Sequence, residues 1–198
     1  MKAFPCQDCR VVEQQRKTKI ISLYGGPGIG KSTSGALLYW LLKNKLQANA
    51  ELVREYVKNW AWEGRHIQPY DQFLFTAKQI RLESILLGRA DYVVTDSPVF
   101  LTVVYAKKYT SSEIAEGIEQ AVRAYYRQVA KDGHQHVHVM LARTKPYKQE
   151  GRYETALAAQ ELDRLVVETL EGAGVAYQKC GTDPAELEQL LVQVTGGA

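Results

Sequence analysis

The chain has 198 residues, of which 45% are hydrophobic and 24% charged, and this composition is sufficient for one domain with a core of ordinary size. A net charge of +3 suits an anionic substrate but is too small to indicate nucleic-acid binding by itself. No apolar run approaches the roughly 18 residues that a membrane helix needs, and no signal peptide is evident. We therefore expect a cytoplasmic protein with no membrane partner, whose three cysteines are thiols.

Residues 1–18 precede the first predicted strand and end in the polar run EQQRKTK. We interpret them as an N-terminal arm, with the domain covering 19–198. Cys6 and Cys9 form a single C-x-x-C, and a structural zinc site needs two further ligands. We interpret Cys6 and Cys9 as ordinary thiols. A zinc half-site completed by another subunit and a disulfide formed on isolation stay open as alternatives.

The stretch KIISLYGGPGIGKST, residues 19–33, is a predicted strand followed by a loop that matches G-x-x-x-x-G-K-[ST] in full. Its glycines let the backbone N–H groups turn inward around a polyphosphate. Lys31 brings a charge to the β and γ phosphates, and the Ser32 hydroxyl is a ligand for Mg²⁺. The predicted cofactors are ATP and Mg²⁺, and the predicted ATP-binding residues are Gly25, Gly26, Gly28, Ile29, Gly30, Lys31, Ser32 and Thr33.

Strands and helices alternate along the rest of the chain. Predicted strands cover 19–24, 50–56, 90–96, 136–142 and 174–180, and predicted helices cover 32–47, 71–88, 99–108, 113–131, 154–171 and 185–194, with a short helix and a loop within 57–70. This alternation predicts an α/β fold with a five-stranded parallel sheet and helices on both faces.

Two acids stand at the ends of predicted strands. Glu55 lies at the C-terminal end of the second strand, and the carboxyl ends of parallel strands are where ligands bind. Asp96 ends the third strand, next to the phosphate-loop strand, in the position of a Walker B carboxylate. Asp96 and Ser32 are therefore the predicted metal ligands.

The helix predicted for 71–88 carries a polar stripe. Four polar residues fall on one of its faces: Gln72, Thr76, Gln79 and Glu83. The stripe either faces solvent or uses the paired donor and acceptor of a glutamine amide to read the edge of a base. Trp60 and Trp62 either belong to the core or line an acceptor pocket. The predicted acceptor-binding residues are Trp60, Gln72 and Gln79.

Residues 143–153, RTKPYKQEGRY, follow the fourth predicted strand and carry four cations. An exposed loop is one interpretation. Cations opposite a phosphate loop are also what a closing lid presents to a transferring phosphoryl group. The predicted lid cations are Arg143, Lys145 and Arg152, acting with Lys31.

Three further stretches resemble P-loop nucleoside and nucleotide kinases: VREYVKNW at 53–60, TDSP at 95–98 and RTKPYKQEGR at 143–152. The first is similar to the deoxynucleoside kinase pattern in which a strand-final Glu supplies the general base, and this implies that role for Glu55 in a three-layer P-loop NTPase fold. Deoxynucleoside kinases place an Arg after the strand-three acid, whereas Ser97 follows Asp96. The pairing of V-x-E-Y with T-D-S-P is similar to small kinase-like ATPases of bacteriophages, which include kinases of 5-hydroxymethyluracil in phage DNA.

The predicted function is an ATP-dependent kinase that transfers the γ-phosphoryl to a hydroxyl of a nucleoside-type acceptor. Arg10, Arg16 and Lys17 of the arm, with the two tryptophans, favour the hydroxymethyl group of 5-hydroxymethyluracil in phage DNA, and thus DNA modification in the host cytoplasm. Free nucleosides or nucleotides are the alternative acceptors. The second alternative is a non-kinase P-loop NTPase that drives a partner, although no guanine-reading N-K-x-D motif is present. A homodimer stays open.

Overall fold

The computed structural model describes residues 16–144, 146–148, 150 and 152–196. The strands are β1 (Lys19–Tyr24), β2 (Ala50–Val53), β3 (Tyr92–Thr95), β4 (Gln135–Leu141) and β5 (Gln178–Cys180). The helices are α1 (Lys31–Asn44), α2 (Lys58–Trp62), α3 (Asp71–Ser84), α4 (Leu101–Tyr109), α5 (Ser112–Lys131), α6 (Ala156–Gly172) and α7 (Pro184–Thr195).

The five strands form one parallel sheet in the order β2-β3-β1-β4-β5. The strand before the phosphate loop, β1, is therefore central, with β3 on one side and β4 on the other. The predicted α/β fold with a parallel sheet is confirmed. Because β3 lies between β1 and β2, the carboxyl end of β3 meets the phosphate loop directly, and the end of β2 lies one strand further away.

Alternate side chains of β1 enter two apolar layers, as the two-residue period of a strand requires. Ile21 and Leu23 belong to the core that includes residues of α1 and α7. On the other face, Tyr24 belongs to the core that includes residues of α4, α5 and α6. The helices thus cover both faces of the sheet and leave its C-terminal edge open for the loops.

Strand β2 ends at Val53, three residues earlier than predicted. Beyond Val53 the backbone N–H groups bond to side chains instead of to β3: Glu55 N–H donates to Asp96 Oδ1 at 2.8 Å, and Tyr56 N–H donates to Gln79 Oε1 at 3.3 Å. Glu55 therefore lies past the end of the strand, on a segment that is tied to both β3 and α3.

Helix α3 and strand β5 are also shorter than predicted. Helix α3 ends at Ser84 rather than at 88, and Gly88, with a φ of 76°, donates its N–H to Thr18 Oγ1. Strand β5 begins at Gln178 rather than at 174, because Gly174 and Val175 bond back to the last turn of α6.

The polar stripe of α3 is buried, so the solvent-facing interpretation of it is wrong. Gln72, Thr76 and Gln79 are at most 6% exposed, and Glu83 is fully buried. Glu83 Oε1 accepts the N–H of Val99, and Tyr125 Oη donates to Glu83 Oε2. Burial raises the pKa of Glu83 to about 8.

The last three residues assigned to the arm contact the domain. Arg16 pairs with Asp91 at 3.3 Å, and Lys17 Nζ donates to the carbonyl of Asp132. Thr18 is 1% exposed and donates its hydroxyl to the carbonyl of Ala90. Residues 1–15, including Cys6 and Cys9, lie outside the described residues. No helix in the described part of the chain is both long enough and apolar enough to cross a membrane.

Candidate active site

The glycine-rich loop joins β1 to α1 with a backbone that glycine favours at three positions. Gly25, Gly28 and Gly30 have φ angles of 137°, 74° and 113°, which residues with a side chain rarely adopt. Gly30 is also the N-cap of α1, so the positive end of that helix dipole faces the loop. This arrangement of N–H groups and helix dipole is suited to binding phosphate.

Lys31 lies against the loop that precedes it. Its Nζ donates to the carbonyl of Gly25 at 2.6 Å and to that of Gly26 at 3.0 Å. Burial lowers the pKa of Lys31, and the carboxylates of Glu55 and Asp96 oppose that shift. The ammonium group therefore lies against the first residues of the loop, with acidic groups nearby.

Ser32 and Asp96 supply the predicted metal ligands. Ser32 Oγ accepts a hydrogen bond from Lys58 Nζ at 3.3 Å, and Asp96 is 3% exposed at the end of β3. Hydroxyl and carboxylate oxygens are the donors that Mg²⁺ prefers, and Mg²⁺ is commonly bound by one or two protein groups together with substrate phosphates. The residues present therefore fit a Mg²⁺ ion shared with a nucleotide.

Glu55 and Asp96 are connected through the bond between Glu55 N–H and Asp96 Oδ1. Burial raises the pKa of Glu55, Lys31 opposes that shift, and Asp96 adds to it. The Glu55 carboxylate is therefore a more basic group than an exposed glutamate.

A cavity of about 910 Å³ opens at this edge of the sheet. It extends from the phosphate loop and Glu55 to α3 and the residues after β4. Residues of the loop and α1 that line it are Pro27, Gly28, Gly30, Lys31, Ser32 and Thr33. Aromatic residues that line it are Tyr56, Trp62, Phe75, Tyr105, Tyr109 and Tyr153. The glycine-rich loop and an apolar surface thus line the same cavity.

Gln72 and Gln79 both line this cavity. Gln79 Oε1 is bonded to the N–H of Tyr56, and a backbone N–H can only bond to the amide oxygen, so Nε2 must face the other way. That Nε2 is buried and has no hydrogen-bond partner among the described residues. Gln79 therefore presents a hydrogen-bond donor.

Trp60 is not among the residues that line the cavity. Its ring packs edge-on against Phe75 at 5.0 Å, and the Arg65 guanidinium lies over it at 5.1 Å. Trp60 supports the wall from behind, whereas Trp62 lines the cavity and is 66% exposed.

The segment after β4 divides between two environments. Arg143 does not line the large cavity: it donates to Asp163 Oδ2 at 2.7 Å and to the carbonyl of Pro27 at 3.0 Å. Arg152 lines the cavity, donates to the carbonyls of Lys148 and Glu150, and lies 5.7 Å from the Tyr147 ring. Lys145 lies outside the described residues.

Several residues of this region were not predicted from the sequence. Lys58, Glu154 and Asp163 lie beside the predicted groups, and burial raises the pKa of Glu154. Lys58 is three residues after Glu55 within VREYVKNW, so the motif itself could have indicated it. Asp163 lies in the middle of an amphipathic helix, where no local pattern distinguishes it.

Comparison with known proteins gives a consistent result for the fold. A family model described as an AAA domain matches residues 20–186. A search of curated proteins finds no match. A search of solved structures, by contrast, finds many that are similar.

One similar structure is the NadR protein in complex with NAD and AMP-PNP, at a TM-score of 0.65 and 18% identity over 93% of this chain. The chain spans 51% of that NadR chain, or about half its length. Deoxyadenosine kinase from M. mycoides aligns over 89% of this chain and 99% of its own, at a TM-score of 0.53 and 13% identity. Thymidylate kinase from Ehrlichia chaffeensis aligns over 91% of this chain and 99% of its own, at a TM-score of 0.58 and 15% identity. These likenesses concern the fold, and the family model covers most of the sequence: the chain belongs to the AAA domain family and has a P-loop, nucleotide kinase-like fold.

Proposed function

We propose that this protein is an ATP-dependent kinase that transfers the γ-phosphoryl of ATP to a hydroxyl of a nucleoside-type acceptor. The observation that carries the proposal is the shared cavity: the phosphate loop, the carboxylate of Glu55 and the polar face of α3 all line it. A donor of phosphate and an acceptor of the size of a nucleoside can therefore meet at one carboxylate.

The nucleotide side rests on the loop. The glycine backbone, Lys31 and the N-terminus of α1 together form an anion site, and Ser32 and Asp96 fit Mg²⁺. Among proteins of similar fold, the structure of NadR contains NAD and AMP-PNP, and two others are described as deoxyadenosine kinase and thymidylate kinase. A kinase is consistent with both observations.

The acceptor side rests on the opposite wall. A volume of about 910 Å³ lies within the range of small-molecule sites. Aromatic residues such as Phe75 and Tyr105 offer apolar surface to a base, and Gln79 offers a buried donor. A base with a carbonyl or ring nitrogen toward Gln79 would satisfy that donor, which is costly to leave unpaired.

The chemistry follows from the placement of Glu55. The acceptor hydroxyl gives its proton to the Glu55 carboxylate as its oxygen bonds to the γ-phosphorus, the bond from that phosphorus to the bridging oxygen breaks, and ADP leaves. The raised pKa of Glu55 suits a base that works near neutral pH. Lys31 and Arg152 would neutralise charge on the transferring group, and Mg²⁺ would supply further charge at the phosphates.

A free nucleoside or nucleotide is the acceptor that this geometry supports best. Residues of α2 line the cavity, and so do these described residues after β4: Pro146, Lys148, Glu150, Arg152 and Tyr153. Walls on several sides favour an acceptor of small-molecule size. The residues that favoured a DNA acceptor support it less strongly in the folded chain, because Trp60 packs against Phe75 and Arg16 pairs with Asp91.

The hydroxymethyl group of a base in DNA is the second candidate acceptor. Trp62, at the edge of the cavity and largely exposed, favours it, because a base turned out of a duplex is commonly stacked on an aromatic side chain.

One experiment tests these alternatives. The protein is incubated with ATP labelled at the γ-phosphate and with separate pools of nucleosides, nucleotides, plain DNA and DNA that contains 5-hydroxymethyluracil. We expect label in a small-molecule pool, and its loss with Glu55→Gln but not with Glu51→Gln, a change at an exposed carboxylate on β2. Label only in the hydroxymethylated DNA would favour the second candidate. Release of labelled phosphate with no labelled acceptor would favour an NTPase that drives a partner.

A further inference from the structure

Asp163 of α6 connects the phosphate loop to the residue that follows β4. Its Oδ1 accepts the N–H of Gly26 at 2.6 Å, and its Oδ2 accepts Nε–H of Arg143 at 2.7 Å. The Asp163 and Arg143 side chains are only 19% and 17% exposed, so solvent competes weakly for these bonds. One carboxylate thus binds both the first turn of the loop and a cation.

Arg143 completes a closed set of contacts around that turn. One terminal nitrogen, Nη2, donates to the carbonyl of Pro27 at 3.0 Å. The other, Nη1, is buried and has no hydrogen-bond partner in the described ranges. A methyl group built on Gly28 would lie 3.6 Å from Nη1. The unsatisfied donor therefore lies beside the middle of the phosphate loop.

Helix α6 also approaches the loop closely. A side chain at Gly26 would overlap the carbonyl oxygen of Ala159, one turn before Asp163, and would lie 2.8 Å from Asp163 Oδ1. The loop is thus packed directly on α6, and the glycine at 26 is required by that contact.

We infer that Asp163 is a positioning residue for nucleotide binding: it holds the first turn of the phosphate loop and orients Arg143 so that Nη1 can donate to a phosphate oxygen of the bound nucleotide. A buried guanidinium nitrogen without a partner is costly, and a phosphate oxygen beside Gly28 removes that cost. The inference rests on the nucleotide side of the proposed function and is independent of the acceptor.

The test measures dissociation constants for ATP, ADP and adenosine with Asp163→Asn, Arg143→Lys and the double variant. Asn keeps an oxygen for Gly26 N–H but loses the ion pair, and Lys keeps the charge but loses the planar guanidinium. We expect each single variant to weaken ATP binding by at least about tenfold, and the double variant to lose no more than the larger single loss. Binding of adenosine should change little. The matched control is Glu168→Gln, an exposed carboxylate further along α6.

Melting temperatures separate positioning from a structural role. An unchanged ATP dissociation constant in either single variant overturns the inference, and so does a lowered melting temperature with equal losses of ATP and adenosine binding. Fully additive losses in the double variant also overturn it, because they mean that Asp163 does not act through Arg143. If Asp163→Asn does not fold, Arg143→Lys and Arg143→Gln must still show the loss for ATP and not for adenosine. If the variants lose ATP binding as expected but the wild-type protein labels no acceptor, the kinase proposal is refuted and this inference is supported.

Discussion

At the scale of single residues, Glu55 and Asp96 are joined by a hydrogen bond. Asp96 Oδ1 accepts the N–H of Glu55, so Asp96 positions the backbone of Glu55 in addition to facing the loop region. A substitution at Asp96 that removes the oxygen would move Glu55 as well. Substitutions that keep the hydrogen-bonding shape and change only the charge are therefore the informative ones.

Glu55→Gln should lower kcat by about 10²- to 10⁴-fold, because the amide keeps the shape of the carboxylate but cannot accept a proton. ATP affinity should stay close to that of the wild type. Steady-state kinetics and equilibrium ATP binding check both parts, with Glu51→Gln as the control. A wild-type rate in Glu55→Gln would remove the proposed base and reopen the NTPase alternative.

Asp96→Asn should raise the Mg²⁺ concentration needed for half-maximal activity, because it removes the charge and keeps the oxygen that binds Glu55 N–H. A Mg²⁺ titration of activity measures this shift, and saturating Mg²⁺ should restore part of the rate. An activity that is low at every Mg²⁺ concentration would instead indicate a structural role for Asp96.

At the scale of elements, α3 connects the wall of the proposed acceptor site with the buried interior. Gln79 faces the cavity one turn before the fully buried Glu83. The first carries a donor that a ligand can satisfy, and the second accepts Val99 N–H in the segment that follows Asp96. One helix face thus supports both the proposed acceptor site and the acidic end of β3.

Gln79→Met should raise the acceptor KM by about 10- to 100-fold, since the pocket loses a buried hydrogen-bond donor. Equilibrium ATP binding should be nearly unchanged. Gln120→Met, at an exposed position of α5, serves as the control. An acceptor KM that does not change would mean that Gln79 only anchors the N–H of Tyr56.

Glu83 should make the folded state less stable as pH rises. Burial raises its pKa to about 8 from a usual value of 4.5, so the folded state keeps a proton that the unfolded chain releases. The stabilisation is complete below about pH 4.5 and is lost as pH rises toward 8, by up to about 1.4 kcal/mol per pH unit.

Denaturant unfolding of wild type and Glu83→Gln between pH 4.5 and 9 measures this effect. The stability of the variant relative to wild type should increase across the interval. The comparison with the variant is needed because other groups also titrate. Burial lowers the pKa values of His136 and His138 to about 3 and about 4, so these histidines make both proteins more stable as pH rises. Parallel curves for the two proteins would show that Glu83 does not titrate in this range.

At the scale of the whole molecule, the basic residues near the N-terminus are less available than their number indicates. Arg16 pairs with Asp91, and Lys17 donates to the carbonyl of Asp132. Within residues 1–15, two basic and two acidic side chains cancel to zero: Lys2 and Arg10 against Asp8 and Glu13.

Deleting residues 1–15 should therefore leave the salt dependence of DNA binding almost unchanged. If the arm did bind DNA, removing one of its phosphate contacts would lower the slope of log affinity against log salt by about 0.9. Binding titrations at several salt concentrations, with the full chain beside the deletion, measure that slope. A decrease of about two or more would show that the arm contacts phosphates and would strengthen the case for a DNA acceptor.

The sequence by itself determined the features that depend on local pattern. The phosphate loop needs particular residues at consecutive positions, and the alternation of strands and helices follows from apolar periodicity over short windows. The positions of Glu55 and Asp96 near strand ends follow from the same local reading. These features are short-range, so one stretch of chain carries the information for each of them.

Only the tertiary structure decided how distant side chains pair. The partner of Gly26 is 137 residues away in Asp163, and the partner of Glu55 N–H is 41 residues away in Asp96. Such contacts ended β2 early, buried the polar face of α3 and paired Arg143 with Asp163 and the carbonyl of Pro27. The physical reason is that a buried donor or acceptor bonds to whichever group the packing brings within reach, and packing depends on the whole chain.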